Sequence, residues 1–440
     1  MSAHKYLLEV VVMKGLKRIK STAWAKSAKA LSGIGLGISA TLILNGCGEP
    51  AVFALQPLAK EPTLITFEDT GEEAMYIPST PDTIKWGRLP NATDEPLLTV
   101  ASGAVVVFDT LSHEGILEDQ GRDPTEYFAS HSIDKKYVLE DAIEIAGSSI
   151  SHNFYEDGPH IVTGPIGIEG AMPGDVLKVE ILKLEPRVPY GVISNRHYKG
   201  ALPGEFPETP KPTEPIHSHD PETLGNVSIF TPTEINEDID QWFGVLHNKF
   251  GKRVTFPAIP FMGIMGVAPN SNEPVHSVPP YFHGGNIDIK DLGVGATLYL
   301  PVFVPAGLFY TGDPHMAQGD GEVALTALEQ SIRATFRLTL IRNNIAGTPA
   351  GSGTLVQPFG ETEEFWITMG FDRDLDEAMK KTVRESIRFL EEKLGMDRAV
   401  ALAYLSAATD FNISQVVDGN KGIHALIRKN DFVTILEDEE

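Results

Sequence analysis

Cysteine is nearly absent from this chain of 440 residues: the only one is Cys47. A single thiol cannot form an intrachain disulfide, so core packing must stabilise the fold even in an oxidising compartment. The same scarcity disfavours a thiol nucleophile. No Gly-x-Ser-x-Gly segment occurs that would present a serine nucleophile on a sharp turn. Covalent catalysis of these two kinds is therefore disfavoured.

Basic residues are also in short supply, with 36 Lys and Arg against 60 Asp and Glu, a formal net charge of −24. This balance disfavours nucleic-acid binding, which depends on neutralising phosphates. The charge is unevenly distributed. Residues 1–46 hold seven basic side chains and one acidic one, which leaves 29 against 59, or −30, for the remainder. A basic leader therefore precedes an acidic body.

Long, strongly apolar runs are missing too. The uncharged stretch 30–46 has seventeen residues, four of them glycine, whereas a transmembrane helix needs about 20 strongly apolar residues. It is typical of the core of a cleaved signal peptide. The stretch ends in Leu44-Asn45-Gly46-Cys47, which resembles a bacterial lipobox. We therefore expect an exported periplasmic or cell-surface lipoprotein that contacts the membrane only through a lipid on Cys47. A plain signal peptide and a true start at Met13 are the alternatives.

Glycine (41) and proline (31) together exceed 16% of the residues, against roughly 12% on average. Many turns, and hence many short strands, are expected, and a helical bundle is nearly excluded. Three segments show a glycine turn followed by alternating apolar residues: 96–109, 170–184 and 292–304. This alternation predicts half-buried strands or hairpins.

The last hundred residues differ from the rest. Residues 361–372 read as a strand, 376–395 as an amphipathic helix ended by Gly395, and 397–408 as a second helix. We predict a mainly β body, sandwich-like or barrel-like, with an α+β C-terminal portion. The predicted divisions are a leader (1–46), a linker (47–62), the body (63–345) and the C-terminal portion (346–440). Residues 188–236 are predicted to form a long surface excursion.

The densest set of reactive side chains lies between Tyr281 and Glu329. Two glycine-studded segments, 283–288 (HGGNID) and 312–322 (GDPHMAQGDGE), flank the apolar strand 296–304. Both are predicted to be loops, and together they hold two imidazoles, four carboxylates and two amides. Neutral histidine with carboxylates is the ligand set expected of Zn²⁺ or a similar divalent ion with an open position. Plain acidic turns with hydrogen-bonded histidines are the alternative interpretation.

Other histidines carry weaker signals. His160 lies in the stiff segment 158–165 (GPHIVTGP), where it could simply cap a turn. Residues 217–220 (HSHD) would place two imidazoles on one face of a strand, although a solvated loop is the commoner form of such a segment. His113 and Glu114 show no pattern and stay unassigned.

Several of these segments occur together in a known family. The chain resembles the acetamidase/formamidase family of amidohydrolases over roughly residues 76–432, in the order and approximate spacing of its motifs. The resemblance implies hydrolysis of small amides to a carboxylate and ammonia, a mainly β body with an α+β part, and often a bound divalent metal. The motifs that carry it are residues 159–165, 170–177, 262–269 (MGIMGVAP), 283–288, 312–322 and 410–424.

Two stretches depart from the family pattern. The family usually has a histidine before Trp-Gly, where this chain reads Lys85-Trp86-Gly87. If that histidine contributed to the site, Lys85 would replace a neutral ligand with a cation. The stretch around His217 also differs from the expected pattern.

We expect a metal-assisted hydrolase in which zinc polarises the amide and activates water. The predicted roles combine ligands, a general base and a hydrogen-bond donor. His283 and His315 are expected to contact the same ion or pocket. The predicted ligands are His160, His283 and His315 with Asp109 or Asp288; Glu322 is the predicted general base, Asp320 orients it, and Asn286 donates to the developing oxyanion.

Two other functions remain open. The first is an exported binding or structural lipoprotein that keeps the fold without turnover. The second is a hydrolase of a lactam or a larger amide, with residues 188–236 at the rim of its pocket. A small amide is the expected partner, nucleic acid is not, and a homodimer is one assembly to consider.

Overall fold

The computed structural model describes residues 52–67, 70–208, 225–342 and 355–436. The predicted leader, Cys47 and the segment 217–220 lie outside the described residues. The chain divides into two compact units. The smaller contains residues 1–41 and 66–73, and its described part is a turn in which the Phe67 N–H donates to the Glu72 carbonyl (2.9 Å). The larger, residues 42–65 and 74–440, contains the site described below.

Strands dominate the described residues. They are β1 Thr63–Thr66, β2 Glu73–Ile77, β3 Ile84–Trp86, β4 Arg88–Leu89, β5 Thr99–Val100, β6 Ala104–Asp109, β7 Ile161–Ile168, β8 Val176–Pro186, β9 Tyr190–Asn195, β10 Val227–Asn236, β11 Gln241–His247, β12 Arg253–Ala258, β13 Phe261–Val267, β14 Val275–His276, β15 Gly284–Asn286, β16 Thr297–Pro301, β17 Phe309–Ala317, β18 Leu328–Glu329, β19 Ile332–Ile341, β20 Phe359–Glu361, β21 Phe365–Asp372, β22 Asp410–Gln415 and β23 Lys421–Arg428.

Helices are fewer and mostly short. The α-helices are α1 Pro124–Ser130, α2 Glu140–Ala146, α3 Leu375–Leu394, α4 Arg398–Ala408 and α5 Val433–Leu436, with 3₁₀ turns at Glu118–Gln120, Lys135–Tyr137 and Lys429–Phe432. In the described parts of the chain, no helix combines the length and the apolar character needed to cross a membrane.

Two large sheets organise the strands. The first has the order β1-β2-β6-β19-β8-β16-β20-β21-β23-β22. The second has the order β12-β11-β10-β9-β18-β17-β13-β15, with β7 beside β17 and with β3 and β5 beside β7. Phe108 of β6 and Phe336 of β19 meet Phe309 of β17, with ring centroids 5.7–5.9 Å apart. Large apolar side chains from both sheets therefore share one core, and the predicted mainly β class is confirmed.

The C-terminal helices were predicted closely. Asp374 caps α3 by accepting hydrogen bonds from the backbone N–H groups of Asp376 and Glu377, and Gly395 ends it in a left-handed conformation (φ 62°). β20 pairs with β16, so the α+β portion extends the first sheet of the body. The predicted boundary near residue 345 falls in a stretch that the structure does not describe.

Three predicted loops contain strands. In the first glycine-studded segment, Gly284–Asn286 form β15, which pairs with β13. The ends of the excursion 188–236 form β9 and β10, which pair with each other in the second sheet. Most of the second glycine-studded segment belongs to β17, which pairs with β7, β13 and β18. β17 is buried on both faces, so its sequence does not alternate between apolar and polar residues as a half-buried strand does. Its Gly, Asp, Pro and His residues therefore looked like a loop.

Candidate active site

β17 lies at the centre of the candidate site. Asp313 and His315 are two positions apart on this strand, so their side chains share one face, and Asp313 Oδ2 lies 3.0 Å from His315 Nε2. Across the ladder Glu329 is the direct partner of His315, and its Oε1 lies 3.1 Å from the same Nε2. Strand pairing alone therefore brings one imidazole and two carboxylates together.

Glycine at position 263 of the neighbouring β13 leaves room for these groups. A Cβ there would lie 2.7 Å from both Asp288 Oδ1 and Asp313 Oδ2, and 2.9 Å from His315 Cε1. Such distances are far below ordinary van der Waals contact, so the polar side chains occupy space that any other residue would fill. Gly263 belongs to the MGIMGVAP motif.

Eight buried side chains converge here, and we call them the central cluster. None is more than 7% exposed. They come from loops and strands far apart in sequence: His113 after β6, His160 before β7, Asp288 after β15, Asp313 and His315 in β17, Glu322 between β17 and β18, Glu329 in β18, and Asp418 between β22 and β23.

The central cluster could hold a metal ion. It contains four overlapping groups of three side chains whose ligand atoms all lie within 4.8 Å of one another. Two of them meet at Asp313 and two at His315. The groups are His113, His160 and Asp313; Asp288, Asp313 and His315; His315, Glu322 and Glu329; and Asp288, Glu322 and Asp418.

Several buried polar atoms of the central cluster lie close to other ligand atoms but make no hydrogen bond of acceptable geometry. Buried polar groups in folded proteins nearly always have a partner, and imidazole nitrogens with carboxylate oxygens are zinc ligands. The residues present therefore fit a divalent ion. The unpartnered atoms are both ring nitrogens of His113, both carboxylate oxygens of Asp288, Asp313 Oδ1, His315 Nε2, Glu329 Oε2 and Asp418 Oδ2.

Burial and mutual repulsion shift the acidity of the carboxyl groups. Burial raises the pKa of Glu322 well above its usual range, and the charge of Asp288 adds to the effect. Burial also raises the pKa of Asp288 and of Asp418. Asp313 differs, because the nearby imidazoles outweigh burial and hold its pKa well below the usual value. Protonatable and permanently ionised carboxyl groups thus lie side by side.

His160 is held by a hydrogen-bond partner, whereas the ring of His113 only approaches a carboxylate. Burial lowers the pKa of His160 to about 3, so this ring stays neutral and can ligate through a nitrogen lone pair. Its Nδ1 lies 2.9 Å from Ser277 Oγ and its Nε2 3.6 Å from Asp313 Oδ2. His113 Nε2 lies 3.5 Å from Glu114 Oε1.

Glu114 belongs to a buried ion-pair network beside the central cluster. Arg196 Nη1 donates to Glu114 Oε1 (2.9 Å), and the same guanidinium is bidentate on Asp119 (2.6 and 3.2 Å). Ser194 and Gln120 also donate to Glu114. Burial opposes ionisation of Glu114, but the Arg196 charge prevails and its pKa lies far below the usual value.

The structure brings together part of the predicted site. His160, His315, Asp288 and Glu322 all belong to the central cluster. Asn286 lies two residues before Asp288 in β15, where it pairs with Ile264; its buried Oδ1 has no hydrogen-bond partner.

His283 is not brought to the central cluster. Its Nδ1 lies 3.1 Å from the Tyr310 hydroxyl, and no group of mutually close metal-ligating side chains in the described ranges includes it. Tyr310 faces position 266 of β13, whereas Asp313 and His315 face position 263. Positions three apart on a strand lie on opposite faces, so we do not include His283 among the proposed ligands.

Three further residues lie elsewhere. Asp109 accepts two hydrogen bonds from Arg333 (2.6 and 2.9 Å) and one from the Tyr76 hydroxyl (2.5 Å). Asp320 pairs with Lys290 (2.8 Å) and is about one-third exposed. Lys85 pairs with Asp94 (2.7 Å), so the departure from the family pattern places no cation in the central cluster.

Sequence reasoning missed half of the central cluster. Asp313 and Asp418 stood inside quoted motifs without a role, and His113 and Glu329 were not assigned. A His-Glu-Gly sequence that begins four positions after the end of the buried β6 was the one available signal for His113. Glu329 carries no local signal, because its place depends on strand pairing with β17.

Comparison with known proteins finds sequence similarity to one family. A sequence profile of the acetamidase/formamidase family matches residues 153–274 and 271–427, more than half of the chain. A formamidase of Methylophilus methylotrophus is 31% identical over 214 residues, which is 42% of this chain and 53% of that protein. An acetamidase of Mycolicibacterium smegmatis is 29% identical over 248 residues, 48% of this chain and 61% of that protein. The chain thus spans only about half to three-fifths of these curated relatives.

Solved structures share the fold. An acetamidase from Bacillus halodurans aligns with 82% of this chain and 99% of its own, at 23% identity and a TM-score of 0.60. An acetamidase from Yersinia enterocolitica aligns with 83% and 95%, at 24% identity and a TM-score of 0.59. Nearly the whole length of both proteins aligns with this chain.

Proposed function

This chain belongs to the acetamidase/formamidase family, and we propose on that premise that it hydrolyses the C–N bond of small amides to a carboxylate and ammonia. The curated relatives named formamidase and acetamidase support the class of bond, although the match spans only part of their length. The observation that carries the proposal is the central cluster, a buried set of imidazoles and carboxylates with unpartnered ligand atoms.

We propose zinc as the metal. His113, His160 and Asp313 offer two nitrogens and one carboxylate oxygen close together, and zinc in catalytic sites takes three such ligands with one position left open. When bound, such an ion acts as a Lewis acid toward the amide carbonyl and makes water a better nucleophile at neutral pH.

Glu322 is the proposed general base. Its raised pKa, caused by burial and by the charge of Asp288, moves it toward neutral pH, where a group can both accept and return a proton. Glu322 takes the proton of the attacking water and delivers it to the leaving nitrogen. Asp313 stays ionised beside it. Phe261, whose ring packs edge-on against His315 at 5.0 Å between centroids, limits the access of bulk water.

Ammonia release from formamide, acetamide and propionamide by the purified full chain tests the proposal, with zinc content measured on the same sample. We expect stoichiometric zinc and turnover of at least one amide. Stoichiometric metal without turnover of any amide would contradict the hydrolase and favour a binding protein. Ring opening of a γ-lactam in the absence of linear-amide turnover would assign the site to lactams.

We further propose that the chain is exported and lipidated at Cys47. The support is in the sequence: a basic leader, an uncharged stretch and a solitary cysteine at its end.

A further inference from the structure

Gln318, directly after β17, makes hydrogen bonds in three directions. Its Nε2 lies 3.0 Å from the backbone carbonyl oxygen of Asp288 and 3.0 Å from that of Ser414. Its Oε1 lies 3.0 Å from His315 Nδ1. One amide therefore links β17, the loop after β15 and strand β22 of the first sheet.

These contacts determine which atom carries each hydrogen. Backbone carbonyl oxygens only accept hydrogen bonds, so the NH₂ group of Gln318 must face the two carbonyls. The amide oxygen that remains is an acceptor only. His315 can bond to it only if Nδ1 carries a hydrogen, because a bare ring nitrogen facing an amide oxygen would place two lone pairs together.

We infer that Gln318 is a positioning residue that keeps a proton on His315 Nδ1 and so leaves Nε2 as the one nitrogen available to the central cluster. Nε2 is the atom that lies 3.0 Å from Asp313 Oδ2 and 3.1 Å from Glu329 Oε1. A cation or a proton can bind His315 only at this position. Only the measurement of cation affinity depends on the proposed metal site; the position of the proton does not.

Gln318 is itself held in place. Ser414, whose carbonyl it binds, has its hydroxyl 2.8 Å from His424 Nδ1, and His424 Nε2 lies 3.1 Å from Asp291 Oδ2. Asp288, which supplies the other carbonyl oxygen, has a positive φ of 49°, which is unusual for a residue other than glycine. The Gln318 amide therefore also supports the conformation that presents the Asp288 carboxylate.

The first measurement is ¹⁵N NMR of metal-free wild-type protein labelled at the histidine side chains, with the His315 signals assigned by their loss in His315→Asn. Protonated and bare ring nitrogens are distinguishable in such spectra. We expect a proton on Nδ1 both at neutral pH and at the higher pH at which only one ring nitrogen is still protonated. A bare Nδ1 with the proton on Nε2 would overturn the inference without any variant at position 318.

The second measurement compares variants. Gln318→Met keeps the length of the side chain but removes the acceptor, so we expect mixed His315 tautomers. Because His315 Nε2 lies 3.0 Å from the proposed ligand Asp313, we also expect a Zn²⁺ affinity 10–100-fold weaker, the usual cost of losing a residue that supports a ligand. Gln318→Glu keeps an acceptor and is expected to retain the Nδ1 proton. Gln357→Met is the control, because Gln357 also donates to a backbone carbonyl, that of Met369 (2.7 Å), without touching a histidine.

The outcomes separate this inference from the proposed function. Unchanged tautomer and Zn²⁺ affinity in a folded Gln318→Met would overturn the positioning role even if amides are hydrolysed. The expected tautomers in a protein that turns over no amide would support the positioning role and leave the hydrolase contradicted. Equal losses of affinity in Gln318→Met and Gln357→Met would reduce the effect to general destabilisation and overturn the inference.

Discussion

Glu322 is the residue whose replacement most directly tests the chemistry. Glu322→Gln keeps the size of the side chain but removes the group that accepts a proton. We expect kcat to fall at least about 100-fold, since losing a general base typically costs 10²–10⁴, while zinc content and the far-ultraviolet circular dichroism spectrum stay unchanged. Steady-state ammonia release measures the effect.

Glu180→Gln is the matched control for this substitution. Glu180 pairs with Lys178 on β8 and is about one-quarter exposed, so its replacement should leave kcat unchanged. Wild-type turnover in Glu322→Gln with normal zinc content would remove Glu322 from the mechanism.

At the same scale, local sequence predicted only some of the site. Glycines, imidazoles and carboxylates clustered in motifs pointed to His160, His315, Asp288 and Glu322. They could not distinguish the two faces of β17 and β13, and this is why His283 was expected beside His315. Asp109 looked equally suitable until the fold placed Arg333 against it.

At the scale of secondary-structure elements, the close packing of α3 against β21 can be tested. Gly370 of β21 touches the helix backbone: a Cβ there would lie 2.7 Å from the Thr382 amide nitrogen and 2.9 Å from the Ala378 carbonyl oxygen. Gly370→Ala should push the helix away from the strand and lower the free energy of unfolding by about 1–3 kcal/mol, the usual cost of overpacking. Urea denaturation measures it.

Gly204→Ala supplies the comparison, because a Cβ at position 204 meets no atom within 4 Å. Its free energy of unfolding should stay within about 0.5 kcal/mol of the wild type, as for most surface substitutions. Equal stability of the two variants would show that α3 does not approach β21 as closely as described.

Elements with a strong local period were predictable and the others were not. The α3 helix shows apolar residues at helical spacing and a terminal glycine, so its ends were predicted within about one residue. β17 shows no alternating pattern, because several of its positions are polar residues of the central cluster. β9 and β10 lie in a segment whose prolines and glycines suggested a loop.

At the scale of the whole molecule, we expect the buried carboxyl groups to make stability depend on pH and on added metal. Glu322, Asp288 and Asp418 have pKa values raised above their ordinary values of 4.5, 3.8 and 3.8. A carboxyl group with a raised pKa in the folded state takes up its proton before the unfolded chain does, so stability rises as the pH falls through that pKa. Burial would lower the pKa of His113, but the nearby carboxylates of Asp313 and Glu114 outweigh it and raise this pKa from 6.5 to about 10, so the contribution of His113 to stability is also lost as the pH rises through this range. Metal-free protein should therefore have a higher Tm near pH 7 than near pH 8.5.

The two Tm values are both measured above pH 6.5, because two histidines titrate below it. Burial lowers the pKa of His160 and His283 from 6.5 to about 3 and 4, so these rings would destabilise the folded state at lower pH. Added Zn²⁺ should raise the Tm at both pH values by mass action. Calorimetry measures these shifts, and a chelator-treated protein that is more stable at pH 8.5 would contradict the raised pKa values.

Location is the other property of the whole chain. Cys47→Ser should move the protein from the membrane fraction to the soluble fraction, because acyl chains contribute about 0.8 kcal/mol per buried CH₂ and the acidic body is repelled by anionic lipids. Hydrolysis of a soluble amide should not change. Fractionation with mass spectrometry of the mature N-terminus measures both. Wild-type protein in the cytosol that still begins at Met1 or Met13 would show that the leader is misinterpreted.

The spread of the central cluster along the chain has a consequence for how the protein is made. Its side chains run from His113 to Asp418, and β17, which carries two of them, pairs with strands from both directions along the sequence. A nascent chain therefore cannot assemble the complete central cluster until Asp418 has left the ribosome. A fragment truncated before residue 313 would hold only His113, His160 and Asp288. Because Asp313 is one of the three proposed zinc ligands, such a fragment would lack a complete zinc site and would be inert rather than partly active.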